Sequence, residues 1–209
     1  MKLNKQTYWI LVISWLFFVI GCCVTAAYMN VASQYQADAK ITSAAEIVTT
    51  EEKAEEDAEI EQLLEEYYSC LEHGDRQQML SFVDDPKLLL SQQKLDNMTR
   101  YIKSYRLDEM LLYPVDGLQD CIAFVTYQTS FYDTDTEVTG MTQFYIMWAG
   151  DHYVIGNNEE RIGNQGQKTL SMVLGRPEVK ELIQKITEER EEAIKNDSVL
   201  KQFFGEERV

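Results

Sequence analysis

From Tyr8 to Met29 the chain carries no charged residue, and only Ser14 and Thr25 are clearly polar. A helix needs about 20 such residues to cross the hydrocarbon core of a bilayer. This run therefore constrains the rest of the chain. Tyr8 and Trp9 stand at one end and Tyr28 at the other, where amphipathic rings prefer the headgroup region. Lys2 and Lys5 precede the run, and the next cation is Lys40. That bias places residues 1–7 in the cytoplasm, 8–29 across the membrane and the bulk of the chain outside.

A cleaved signal peptide is the competing reading. Val19-Ile20-Gly21-Cys22 has the outline of a bacterial lipobox, which makes Cys22 a candidate lipidation site. Bulky Ile20 fits that motif poorly. Cys23, Val24, Ala26, Ala27 and Tyr28 also stay apolar where a polar tether would begin. The full span length is met only by reading through Cys22, so an uncleaved anchor fits better. Both readings export the domain beyond residue 50.

The formal net charge of the 209 residues is −16. Such a surface repels phosphate backbones, so nucleic acid is not an expected partner. Besides Cys22 and Cys23, the cysteines are Cys70 and Cys121. An oxidising compartment would allow one disulfide between them. Their apolar surroundings fit buried free thiols better. No C-x-x-C or His-spaced pair accompanies them, so neither a thiolate metal site nor any cofactor is expected.

Residues 30–50 are polar, rich in Ala, Ser, Thr and Gln, and read as a linker. Thr49 and Glu52 form a capping-box pattern that opens a helix with Ile60, Leu63, Leu64, Tyr67 and Leu71 at helical spacing. Nine acids against one lysine between Glu51 and Glu66 read as a solvated helix face. Gly74 ends this helix and Asp75 starts a short one that turns Met79, Leu80, Phe82 and Val83 inward. Asp84-Asp85-Pro86 is a turn, and a third helix has Leu88, Leu89, Leu95, Met98, Tyr101 and Ile102 as its apolar positions.

Beyond Lys103 the period becomes alternating. Leu107, Leu111 and Tyr113 share one parity in a first strand, and Asp116-Gly117 signals a hairpin. Ala123, Val125, Tyr127 and Phe131 alternate with polar residues in a second. A third runs from Val138 to Trp148, apolar on both parities, and a fourth from Tyr153 to Ile155. A polar loop, Gly156 to Lys168, leads towards a closing helix that begins at Pro177. The expected architecture is α+β: an N-terminal transmembrane helix, then three helices on a four-stranded antiparallel sheet (51–168), then a C-terminal helical segment (169–209).

"EEYYSCLEHGDRQQMLSFVDD" (65–85) and "CIAFVTYQTSFYDTDTEVTGMTQFYIMWAGDHYVI" (121–155) together resemble the nuclear transport factor 2-like superfamily. The first is similar to its opening helix, GD break and second helix, and the second to its consecutive long strands. The resemblance implies a curved sheet wrapping the helices into a cone with a pocket at its mouth. More narrowly, the order of anchor, tether and cone resembles exported, singly anchored members of Gram-positive bacteria, similar to bitopic subunits of type IV secretion and conjugation machines. Enzymes of this superfamily such as ketosteroid isomerase use a base carboxylate and a Tyr–Asp oxyanion pair. Here Tyr67, Tyr101, Tyr127 and Tyr145 are the candidate pocket tyrosines, with no inward Asp on a strand to match, and a tyrosine stripe more often packs a core.

His73 and His152 flank turns and read as exposed. "DTDTEVTGMTQF" fails as a calcium loop, with Val138 and Phe144 where Gly and Glu are required. "GNQGQKT" fails as a phosphate loop, because Gln167 precedes Lys168 where glycine belongs. No catalytic residue is assigned. The expected function is a non-catalytic extracytoplasmic binding or scaffold protein of the bacterial envelope, with a protein partner or a second copy as its ligand. A pocket domain for sensing or delivery and an isomerase- or dehydratase-like enzyme are the alternatives.

The closing segment has a stripe of Val179, Leu182, Ile183, Ile186, Ala193 and Ile194, broken at Glu189 and Arg190. Asn196-Asp197-Ser198 reads as a break and a new cap before Val199, Leu200, Phe203 and Phe204. A third strand apolar on both parities needs a cover on its second face. Burying one Phe and two Leu/Ile side chains is worth on the order of 5 kcal/mol, so the helix is expected to fold back over the sheet, leaving Phe203 and Phe204 as candidate partner contacts. Intact mass of the membrane-extracted protein tests the anchor: the full uncleaved chain is expected, and a mature chain starting at a diacylated Cys22 would overturn it.

Overall fold

The structure, a computed structural model, describes residues 50–205. The apolar run 8–29, Cys22, the linker and the Thr49 cap lie outside the described residues. Among those described, no helix is long and apolar enough to cross a membrane.

Helix α1 spans Thr50–His73. Ile60, Leu64 and Tyr68, one turn apart, are buried along with Leu63 and Cys70. The helix stops at Gly74, whose φ of +69° favours a residue without Cβ. Asp75 then caps α2 (Arg76–Met79), its carboxylate accepting from the Gln78 amide at 3.0 Å. Helix α3 is Gln92–Met98 and buries Leu95 and Met98. It is shorter than its apolar pattern suggests: Leu88 and Tyr101 are exposed, and Ile102 already belongs to the sheet.

Strands β1 (Ile102–Pro114), β2 (Cys121–Phe131), β3 (Thr134–Trp148) and β4 (Tyr153–Ile155) form one antiparallel sheet in sequence order. The β1–β2 hairpin turns at Asp116-Gly117, where Gly117 has φ +73°. The β2–β3 turn is only Tyr132-Asp133, so β3 begins at Thr134 and not at Val138. The shared parity expected of Leu107, Leu111 and Tyr113 does not hold. Leu107 faces Tyr127 and Glu109 faces Thr126, which leaves Asp108 as an extra residue. This bulge switches faces: Tyr105, Leu107, Met110 and Leu112 point towards α1, Leu111 and Tyr113 away from it.

The inner sheet face packs Cys121, Ala123, Val125, Tyr127, Phe144 and Ile146 against α1. The outer face carries Ile122, Phe124, Met141, Tyr145 and Met147, and it is covered. Its covers are α4 (Glu159–Leu174), through Val173, and α5 (Pro177–Asn196), through Val179. The fold-back of the closing helix over β3 is therefore present. The loop expected at Gly156–Lys168 is helical from Glu159, capped by Asn158 and kinked at Gly163 (φ +65°). Its glycines mislead: Gly166 is buried, and a Cβ there would lie 2.6 Å from the Tyr145 ring. Gly166 serves close packing, not turning.

Cys70 and Cys121 are free, buried thiols, so the disulfide alternative is not realised. Asp197 breaks the helix and caps α6 (Ser198–Gly205), accepting from the Val199 and Leu200 amides at 2.7 and 3.1 Å.

Gly166→Ala separates propensity from packing. In a helix interior Ala is ordinarily favoured by about 1 kcal/mol, but overpacking against Tyr145 costs roughly 1–3 kcal/mol. A lowered midpoint in chemical denaturation is expected; a raised midpoint would contradict the contact.

Candidate functional site

Between α1 and the inner sheet face a group of aromatic rings packs together. Tyr68 lies at the centre. Its ring centroid is 6.3 Å from Tyr67, 5.4 Å from Tyr105, 5.2 Å from Tyr127 and 6.1 Å from Phe144. Most of these pairs meet edge to face, the arrangement the ring quadrupoles favour. Tyr127 has space for its ring because its cross-strand neighbour is Gly140, where a Cβ would lie 2.5 Å from the ring. The Thr142 hydroxyl donates to the Tyr127 hydroxyl at 3.4 Å. At the rim, a Glu72 carboxylate oxygen accepts the Tyr105 backbone N–H at 3.1 Å, which occupies that acid with an edge-strand amide.

Burial sets the chemistry of these phenols. It raises Tyr67 to about 12, with Cys70 a lesser cause, and takes Tyr68 and Tyr105 further up. Tyr127 is also raised by burial, against the opposing bond from Thr142. They are neutral hydroxyls at ordinary pH and poor as bases.

The four candidate pocket tyrosines do not share a site. Tyr67 and Tyr127 both touch Tyr68. Tyr145 belongs to the outer face, where its hydroxyl donates to Asp120 at 2.8 Å while the other Asp120 oxygen accepts the Trp148 amide at 3.0 Å. Tyr101 is on the surface beside the β2–β3 turn, its carbonyl accepting the Tyr132 amide. From Val138 to Ile146 β3 pairs with β2 in one register, so Tyr145 and Phe144 fall on opposite faces and Tyr145 is kept from the cluster. Tyr68 and Tyr105 are members that sequence reasoning does not single out. The Ile60–Leu64–Tyr68 spacing is the available signal for the first.

Elsewhere, Asp84 and Asp85 join the end of β4. Asp84 accepts from the Asn157 amide at 2.8 Å and from Arg161 at 3.2 Å, and Asp85 exchanges three bonds with Asn157 and Asn158 side chains. All these acceptors serve the chain itself. His73 and His152 are exposed, His152 against Asp151. Among the described residues no group of three His, Cys, Asp or Glu is placed to hold a metal ion. Phe204 packs edge-on against Phe131 of its own chain, at 6.1 Å; the Phe203 side chain lies outside the described residues. Comparison with family models, with characterised proteins and with solved structures finds no match to this chain.

The raised phenols make a pH prediction. A group whose pKa is raised on folding contributes its full stability below the unfolded value, about 10 for tyrosine, and loses it as pH climbs through the folded value. Stability should therefore fall with rising pH above that range, and the buried phenols should ionise in step with unfolding. Phenolate absorbance and near-ultraviolet circular dichroism followed together in alkaline titration check this. Complete phenolate formation with the dichroism intact would contradict the burial.

Proposed function

We propose that this chain is a membrane-anchored, extracytoplasmic, non-catalytic scaffold or binding protein of a bacterial cell envelope. Its domain is of the nuclear transport factor 2-like kind, and its work is done through its surface. The supporting observation is the filled interior. Where a cone of this type would hold a small molecule, Tyr67, Tyr68, Tyr105 and Tyr127 pack on one another and on Phe144. Acid–base work needs a carboxylate whose reach to a substrate is free. Glu72, the acid that borders these rings, is bonded to the Tyr105 amide. A cluster of neutral, mutually packed phenols gives rigidity to a protein-binding module more readily than it gives turnover.

The test is crosslinking of the full chain in intact cells, with identification of the proteins recovered. A reproducible envelope protein partner, lost when surface residues are changed and kept in Tyr127→Phe, is the expected outcome. Turnover by the purified protein that one interior substitution abolished, such as Glu72→Gln, would defeat the reading.

A further inference from the structure

Helices α5 and α6 are separated by a single residue. Asp197 has φ −116° and ψ 126°, extended backbone between two helical segments. Val179, Ile186, Ala193 and Leu200 nevertheless recur at every seventh position straight through it. That spacing is the phase of one continuous amphipathic helix, not of two unrelated ones. Val179, Ile186 and Leu200 are buried, and Ala193 is half-buried, so the stripe is in use on both sides of the break.

Two sets of contacts hold α6 in the bent arrangement. Leu200 is wholly buried in a groove of Met98, Ile102, Phe131 and Val138, and Phe204 meets Phe131 edge-on while the Arg190 guanidinium lies 5.2 Å above the Phe204 ring. The second set belongs to Asp197. One of its oxygens accepts from the Thr134 and Thr136 hydroxyls at the start of β3, the other from the Val199 and Leu200 amides. The threonine bonds, then the amides, hold this carboxyl down at about 2, so the latch stays charged at ordinary pH.

We propose that α6 is an exchangeable plug: when Asp197 becomes helical, α5 and α6 run on as one helix, and Leu200 enters the same groove of a second copy of this chain. The apolar contacts of Leu200 and Phe204 can form equally in the partner's groove. Those of Asp197 to the Val199 and Leu200 amides cannot, because a residue inside a helix no longer caps one, and the Thr134 and Thr136 hydroxyls then lose the carboxylate that the cap holds against them. Asp197 and its two threonines are therefore what keeps the plug at home, and their strength sets the balance between closed chains and reciprocally exchanged pairs. This exchange rests on the contacts of α6 and not on the scaffold reading, so either can fail without the other.

The test uses the full chain, co-expressed with two different epitope tags and extracted in mild detergent. Asp197→Ala removes the cap and favours helix at the hinge; Thr134→Val/Thr136→Val weakens the latch from the sheet side. Each is expected to raise recovery of the second tag several-fold over the parent, with amide protection of residues 198–205 retained. Adding Leu200→Asp to Asp197→Ala is expected to return recovery to the parent level. Recovery unchanged in either latch variant, or raised recovery that survives Leu200→Asp, would overturn the exchange.

Discussion

Strand β2 is the element on which the rest depends. From Cys121 to Tyr127 seven consecutive residues are buried. An antiparallel strand usually keeps one face for solvent, and a run like this belongs to a strand covered on both sides. Alternate residues must then find different partners: Cys121, Ala123, Val125 and Tyr127 meet α1, while Ile122 and Phe124 meet α4 and α5. The C-terminal helices are core elements for this reason. Fully burying an Ile or Phe side chain is worth about 1.5–3 kcal/mol, and Ile122 and Phe124 gain that only while those helices stay in place.

The two faces are filled differently. On the outer side Phe124, Tyr113 and Tyr145 lie among aliphatic residues such as Val173 and Val179, and Gly166 lets helix and Tyr145 approach. The inner side is widened by rings. Tyr68 touches four other aromatics, and Gly140 accommodates the Tyr127 ring that would otherwise collide with a side chain across the strand pair. Large, rigid rings pack between α1 and the sheet, and their edge-to-face contacts add to the area they bury.

Much of this is legible in the sequence, and the misses have identifiable causes. The change from helical to alternating period locates the sheet, and the double-parity third strand correctly requires a cover. The Asp197 break and cap are visible because Asn196-Asp197-Ser198 interrupts an otherwise apolar stripe. Parity fails in β1, since a bulge at Asp108 leaves no mark in an alternating pattern. Composition fails at Gly156–Lys168, where Asn and Gly residues suggest a loop; Asn158 is a cap and Gly166 a contact. The tyrosines fail as a site because they are divided among the two sheet faces and the surface. Residue type shows what a side chain can do, and only the register of the strands decides which ones meet.

Two carboxylates make comparable joints at opposite places, and their surroundings give them different roles. The Asp84 side chain is 5% exposed and accepts from the Asn157 amide and Arg161, while its neighbour Asp85 bonds the Asn157 and Asn158 side chains. Beside them Val83 pairs with Ile155, so the backbone itself continues the sheet. Opening that joint would break ladder bonds and side-chain bonds together, leaving buried polar groups unpaired. Asp197 links one residue of backbone to two hydroxyls and a helix end. Its release costs the bonds of one side chain, and the helix beyond it can re-form around the same apolar stripe. Cooperative strength therefore concentrates where the sheet is continued, and the last helix hangs from the part of the fold most readily opened.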